Sequence, residues 1–338
     1  MSAGRREGNR LEASGLGVGY QQPILKGLNL ALRAGELVCL IGPNGAGKTT
    51  LMRTLAGMLK PLEGEVCLNG ENMSRIKPLE LARRLAVVLT ERVEIGNLSA
   101  YGLAALGRYP YTGWHGKLTA KDRQVVERAM AQTGCLELAE RSVRELSDGE
   151  RQKVMIARAL AQQPGVLLLD EPTAFLDLPR RVELMRLLRG LARETGSAIL
   201  LTTHDLDLAL RVADRLWLIS SGGEFREGIS EELALNGAIE EVFRSEGVRF
   251  DHERGAFQVN FPARGSVWLG GEDGIAVAWT WRALERMGFE VREYDPRAEV
   301  EVRVLAGRRW MARVGGEVGG RAAEFGSLGE LLGWLGEG

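Results

Sequence analysis

Apolar residues come in short runs separated by polar, glycine-rich turns, and each run predicts its element. Residues 1–10 are polar and basic and predict a disordered tail. From Leu11 to Leu32 apolar positions alternate and are broken by turns, which predicts antiparallel strands. Leu37-Val38-Cys39-Leu40-Ile41 is continuous and predicts a buried strand, and Thr50 to Ala56 predicts the helix after it. Pro61 ends that pattern. Glu65–Leu68 then reads as a short strand closed by the turn pair Asn69-Gly70. Helices are predicted over Pro78–Arg84, Ala100–Leu106 and Lys121–Gly134, and from Leu146–Glu150 to about Gln162. Apolar runs at Ala86–Leu89, Val166–Leu169, Ala198–Leu201 and Arg215–Ser220 predict buried strands. Strands alternating with helices imply an α/β unit with a mostly parallel sheet wrapped by helices.

From about Arg249 the pattern changes; the last lysine is already Lys153. Short strands are predicted at Phe257–Phe261, Ser266–Leu269, Glu290–Tyr294, Glu299–Leu305 and Arg309–Val314. Helices are predicted at Ala276–Met287, with Trp279, Ala283, Leu284 and Met287 on adjoining positions, and at Leu328–Leu335. Gly315-Gly316 and Gly319-Gly320 mark turns. Trp268, Trp279, Trp281, Trp310 and Trp334 give this segment more tryptophan than a disordered tail holds. Residues 250–338 therefore read as a small α+β domain with a core of its own, following a first domain over 11–245. Gly270-Gly271-Glu272-Asp273-Gly274 can be an anion site at a helix N-terminus. It has no lysine and two acids, so a tight turn is the better reading.

The length, 338 residues, suits about two domains, and 45% apolar residues supply a sizeable core. A net charge of −1 gives no sign of a nucleic-acid partner. Cys39, Cys67 and Cys135 form no C-x-x-C pair and read as free thiols in a reducing compartment. No apolar run approaches the ~18 residues that span a bilayer. The protein is expected to be soluble and to act at a membrane only by docking on something that spans it.

The candidate chemistry starts at Gly42-Pro43-Asn44-Gly45-Ala46-Gly47-Lys48-Thr49, a G-x-x-x-x-G-K-T phosphate-binding loop between a predicted strand and a predicted helix. Its glycines let successive N–H groups face an anion, and the helix N-terminus adds partial positive charge. Lys48 can reach terminal phosphates, Thr49 can place its hydroxyl on Mg2+, and Thr50 is expected among the ATP-binding residues. Tyr20 can stack on an adenine ring or simply end a strand. Asp170 and Glu171 end an apolar strand, at the sheet edge where ligands bind in open α/β sheets. Asp170 suits Mg2+, and Glu171 suits polarisation of an attacking water. His204, at the end of another strand, can contact the γ-phosphate. Alone, the acids read as a polar strand-to-loop pair and His204 as a loop histidine; beside a phosphate loop those readings weaken. Ser147 or Asp148 can cap the helix that begins there.

The order of Gly42–Thr49, Leu146-Ser147-Asp148-Gly149-Glu150, Leu167–Glu171, Phe175-Leu176-Asp177 and His204 resembles an ATP-binding cassette ATPase over about Leu11 to Ser245. The resemblance implies a P-loop NTPase fold with a mixed sheet core and a helical subdomain, ATP hydrolysis with Mg2+, and a homodimer sandwiching two ATPs. Leu146, Ser147, Asp148, Gly149 and Glu150 would be the signature loop, with Ser147 and Gly149 on the partner's γ-phosphate. Asp177 would lie in the loop linking the two sites, and Tyr20 would be the adenine-stacking aromatic. Leu55–Pro61, Leu81–Ala86 and Gly107-Arg108-Tyr109-Pro110 resemble the importers of iron–siderophore, haem and vitamin B12. That implies permease partners, a substrate-binding protein, and a place on the cytoplasmic face of the cell membrane. An exporter or lipoprotein-release ATPase shares the core motifs. A soluble cassette protein acting on ribosomes or DNA is disfavoured by the single phosphate loop and the lack of heptads. The stretch from Thr90 to Thr119 discriminates, because there the family meets its permease.

Two positions depart from the family pattern. Asp148 replaces the second signature glycine; a carboxylate aimed at a γ-phosphate would repel it, so Asp148 is expected to point away and cap its own helix. Thr90 stands where a loop glutamine is expected. Thr90 and Glu91 are read as sharing its metal-facing work, the alternative being that Thr90 merely ends the strand and a water replaces the amide.

Overall fold

The computed structural model describes residues 9–89, 97–113, 116–244, 248–251, 255–259, 264–293, 298–315 and 321–336. Thr90, Glu91, Phe261, Tyr294, Gly316, Gly319 and Gly320, singled out above, lie outside them. The chain divides into two compact units, Met1–Phe243 and Arg244–Gly338.

In the first unit, β1 (Asn9–Gly19) and β2 (Pro23–Arg33) pair antiparallel. Asn9 and Arg10, expected in the tail, belong to β1, because its register carries Asn9 opposite Arg33. β3 (Leu37–Ile41) is buried throughout and leads through the glycine loop to α1 (Lys48–Leu55). β4 (Glu63–Leu68) and β5 (Glu71–Asn72) meet at Asn69 and Gly70, with φ of 51° and 77°. Asn-Gly supplies those positive values at little cost. α2 (Pro78–Arg84) opens on proline and runs into β6 (Leu85–Val88). α3 (Ala100–Ala105), α4 (Ala120–Gln132) and α5 (Asp148–Ala161) pack on one another as a helical arm. β7 (Val166–Leu169), α6 (Leu178–Thr195), β8 (Ala198–Thr202), α7 (Leu206–Val212) and β9 (Arg215–Ile219) follow. β10 (Phe225–Gly228), α8 (Ser230–Leu235) and α9 (Ala238–Val242) close the unit.

The strands form an antiparallel sheet, β2-β1-β4-β5, and a six-stranded sheet, β10-β9-β3-β8-β7-β6. In the second, all neighbours from β9 to β6 are parallel and β10 is an antiparallel edge. One core joins the sheets: Leu51, Met52 and Leu55 of α1 pack with Leu11 and Leu32 on one side and Val38, Leu40 and Trp217 on the other. Since β3, β7 and β8 are parallel, their carboxyl ends share one edge, and the loops bearing Lys48, Glu171 and His204 all leave from it.

The second unit holds a hairpin, β11 (Val248–Asp251) with β12 (Ala256–Val259), in which Phe250 and Phe257 meet edge-on at 5.2 Å. β13 (Gly265–Gly271), α10 (Gly274–Arg286), β14 (Phe289–Arg292), β15 (Val300–Leu305), β16 (Arg309–Val314), β17 (Arg321–Phe325) and α11 (Leu328–Gly336) follow. The sheet order is β14-β13-β15-β16-β17. Its core includes Val267, Leu269, Leu284, Val302, Trp310 and Leu331. The Trp310 indole donates to the Thr280 hydroxyl at 2.8 Å, which lets both be buried. Of the adjoining positions noted on this helix, Trp279 lies off the core face. The buried positions of α10 are Ala276, Thr280, Ala283 and Leu284, while Trp279 is 60% exposed beneath the Arg282 guanidinium. In the loop 270–274, Asp273 accepts from the N–H groups of Ile275 and Ala276 and closes the helix start itself.

Candidate active site

The loop Gly42–Thr49 needs its glycines. Gly45 and Gly47 have φ of 81° and 98°, and a Cβ on Gly42 would stand 2.3 Å from the carbonyl of Ile219. Pro43 is half-buried, Asn44 is exposed, and Ala46 packs inward. Lys48 is buried, and its ammonium donates to the carbonyls of Gly42 and Pro43 at 2.7 and 2.9 Å. Desolvation pulls its pKa down, opposed by the Glu171 and Asp170 carboxylates. Thr49 is exposed in the first turn of α1, and Thr50 is buried. Tyr20, just past β1, is 61% exposed.

At the end of β7 the Asp170 N–H donates to the carbonyl of Val88 at 2.8 Å, prolonging the pairing with β6. Thr202, the last residue of β8, serves both acids through one oxygen. Its hydroxyl donates to Asp170 Oδ1 at 2.8 Å and accepts the Glu171 N–H at 2.7 Å. Asp170 is buried, and desolvation raises its pKa, with the Thr202 hydrogen bond opposing. Glu171 sits at φ 47°, rare for a glutamate, so the chain turns sharply and the carboxylates diverge. Asp170 meets Thr202, whereas Glu171 Oε1 lies 2.6 Å from His204 Nε2. A cavity of about 520 Å³ borders this pair, with Thr173, Thr203 and Asp205 also in its wall. A second cavity, about 550 Å³ between α4 and the end of α6, contains none of the motif residues.

Leu146 is buried ahead of α5. Ser147 caps that helix in a reciprocal box: its hydroxyl accepts from the Glu150 N–H at 3.3 Å, and Glu150 Oε2 accepts from the Ser147 N–H at 2.8 Å. Those bonds hold the Glu150 pKa down. The cap is thus Ser147, not Asp148, which is the first helical residue; the hydroxyl reaches the N3 amide while keeping Glu150 within reach of the Ser147 amide. Gly149 faces the next loop, where a Cβ would stand 3.8 and 3.9 Å from Leu176 and Arg180. Asp177 caps α6, accepting from the Arg180 N–H at 3.0 Å. The fold therefore gathers Lys48, Asp170, Glu171 and His204 at one sheet edge. The side-chain hydrogen bonds of Ser147 close on Glu150, and Gly149 borders the Asp177 loop. Thr202 is the site residue that sequence reading missed: a threonine ending an apolar run reads as ordinary strand, and its only signal was its place before Thr203-His204.

Residues 25–174 match the family model described as ABC transporter, and residues 264–336 match the iron ABC transporter C-terminal domain. The achromobactin transport ATP-binding protein CbrD of Dickeya dadantii is 42% identical over 229 residues, 68% of this chain and 85% of that protein. The iron(3+)-hydroxamate import ATP-binding protein FhuC of Bacillus subtilis is 35% identical over 237 residues, 70% of this chain and 88% of its own. Among solved structures, the dimeric bacterial ABC transporter cassette MJ0796 superposes with a TM-score of 0.57 at 28% identity, covering 65% of this chain and 98% of that one. With the phosphate loop, carboxylate pair and histidine on one edge of the sheet, the chain belongs to the ABC transporter ATP-binding proteins and is an ATPase.

Proposed function

We propose that this ATPase is the nucleotide-hydrolysing subunit of an iron-chelate importer, working as a homodimer on the cytoplasmic face of the cell membrane under a permease fed by a substrate-binding protein. The chemistry rests chiefly on the 2.6 Å contact between Glu171 and His204 beside the phosphate loop. Gly42–Thr50 cradle the phosphates, Lys48 meets the terminal ones, and Tyr20 stacks on the base. Glu171 orients and polarises the attacking water; His204 holds Glu171 and faces the γ-phosphate. Ser147 and Gly149 complete the site of a second copy, a role carried by the match of Leu146–Glu150 to the family's signature loop.

The donor set suits Mg2+ brought in with ATP. The Thr49 hydroxyl and the Asp170 carboxylate are hard oxygen donors, and a carboxylate that burial pushes toward protonation gains from an adjacent cation. Phosphate oxygens of the nucleotide would supply further ligands. The ion would neutralise charge on the β- and γ-phosphates. Thr90 and Glu91 remain proposed for the loop glutamine's work.

The iron-chelate cargo is supported by the C-terminal match and by the siderophore relatives. Among the described residues no helix is long and apolar enough to cross a membrane, and the transport role proposed here runs through a separate permease. Two measurements test the reading. E171Q should bind ATP, trap a dimer and stop turning over; near-normal hydrolysis would sink the assignment. The complex purified from membranes should take up a ferric hydroxamate with ATP. Uptake of haem or cobalamin alone would reassign the cargo, and outward transport would reject the importer.

A further inference from the structure

We propose that Arg181 is a positioning residue that ties the loop ending at Asp177 to the loop carrying His204. The proposal rests on the reading of Asp177 and His204 given above and assigns a role to a residue outside the family motifs. Arg181 stands in the first turn of α6, half-buried, four residues after Asp177. Its guanidinium reaches two ways. Nε donates to the carbonyl of Leu176 at 2.7 Å, and Nη1 lies 3.6 Å from Asp205 Oδ2.

Asp205 divides its work between two oxygens. Oδ1 accepts from the Leu208 N–H at 3.1 Å and caps α7, leaving Oδ2 toward Arg181. Its own N–H donates to the Thr203 hydroxyl at 3.1 Å, and Thr203 meets Thr173 at 3.4 Å. Both neighbours of His204 are therefore held. The Leu176 N–H returns to the carbonyl of Thr173 at 3.3 Å. Glu171, His204, Asp205, Arg181, Leu176 and Thr173 thus form a ring beside the cavity of about 520 Å³, and all but Leu176 lie in its wall. Arg181 spans the gap in that ring between the two loops, and a guanidinium, with donors pointing in two directions, suits the span where one amine does not.

The pair is too exposed for much stability: the Arg181 side chain is 40% accessible, and ion pairs of that kind contribute little. Its effect falls on the geometry of His204 and Glu171, where small misplacements are expensive in rate. The test is steady-state ATPase of the full-length chain with R181Q, R181K, D205N and R181Q/D205N. D205N keeps an acceptor for the α7 cap and removes the charge facing Arg181. R181Q and D205N should each lower kcat about tenfold, with KM for ATP and the melting temperature unchanged. The double variant should be no worse than the poorer single, and R181K should recover part of the loss. R181Q within twofold of the parent, multiplicative losses in the double, or a rise in KM and a drop in melting temperature accompanying the fall in kcat would each overturn the proposal. E171Q assayed alongside separates the failures. An active E171Q removes the underlying reading; an inactive E171Q beside a normal R181Q removes this link alone.

Discussion

Thr202 shows how much chemistry one oxygen can organise. It gives Asp170 a proton donor and takes the Glu171 amide, so the two carboxylates are set relative to each other by a residue that is neither acid nor base. Thr202→Val keeps the shape and removes both bonds. Losing that hydrogen bond to a buried carboxylate costs about 1–3 kcal/mol, and ATPase activity should fall at least about tenfold. Thr202→Ser should restore most of it; a fully active valine variant would show that the strand ends alone set the geometry. Lys48→Ala should weaken ATP binding or turnover, measured by nucleotide titration and phosphate release; if both stayed unchanged, the loop would not be a phosphate site. Residues at this scale were legible where a type and a spacing are dictated by the ligand, as at Gly42–Thr49 and Asp170-Glu171. Thr202 was not legible, because its role depends on which strand lies beside β7. Asp148 was misread as a cap because neighbouring Ser147 offers the same chemistry one position earlier.

At the scale of elements, the helical arm is pinned by Arg108, from the stretch Gly107-Arg108-Tyr109-Pro110. Its guanidinium is buried, donating to Asp122 Oδ1 at 2.9 Å and to the carbonyl of Ala161 at 2.8 Å, with its carbon 3.8 Å from the centre of the Tyr111 ring. The segment before α4, the start of α4 and the end of α5 thereby become one body. Thr119 hydrogen bonds, followed by Arg108, hold the Asp122 pKa below the usual carboxylate range. A carboxylate whose folded pKa is depressed stabilises the fold above its unfolded pKa, and that stability is lost as pH falls through the folded one. Asp122→Asn, which strands a buried cation, should cost about 3–5 kcal/mol at neutral pH. In thermal melts the gap from the parent should narrow in acid, below about pH 4. A gap independent of pH would mean that the carboxylate charge is not what holds the arm. The same scale explains why α6 was not read from the sequence. Its inner face, Leu184, Met185, Leu188, Leu191 and Ala192, is apolar, yet Leu178 and Val182 are exposed and arginines interrupt the run, so no clean stripe stands out. β17 was missed for a similar reason: Arg321–Phe325 is a mostly exposed edge strand with little alternation.

The whole molecule is two cores on one chain. Every motif from Tyr20 to His204 lies in Met1–Phe243. The second unit has its own apolar centre, its own sheet and a buried hydrogen bond between Trp310 and Thr280, none of which needs a residue of the first. The change of texture near Arg249 made the division readable; what the second unit does was not, because no motif in it dictates a chemistry. The cores predict how the halves behave when parted. A chain ending at Phe243 should still fold, bind ATP and hydrolyse it at the basal rate, while its regulation or the stability of its dimer changes. The second unit alone, Arg244–Gly338, should unfold cooperatively, reported by the fluorescence of Trp310 as its indole leaves the core. A folded truncation that cannot bind nucleotide would show that the second unit completes the cassette. A second unit that melts without a transition would show that its core is too small to stand by itself.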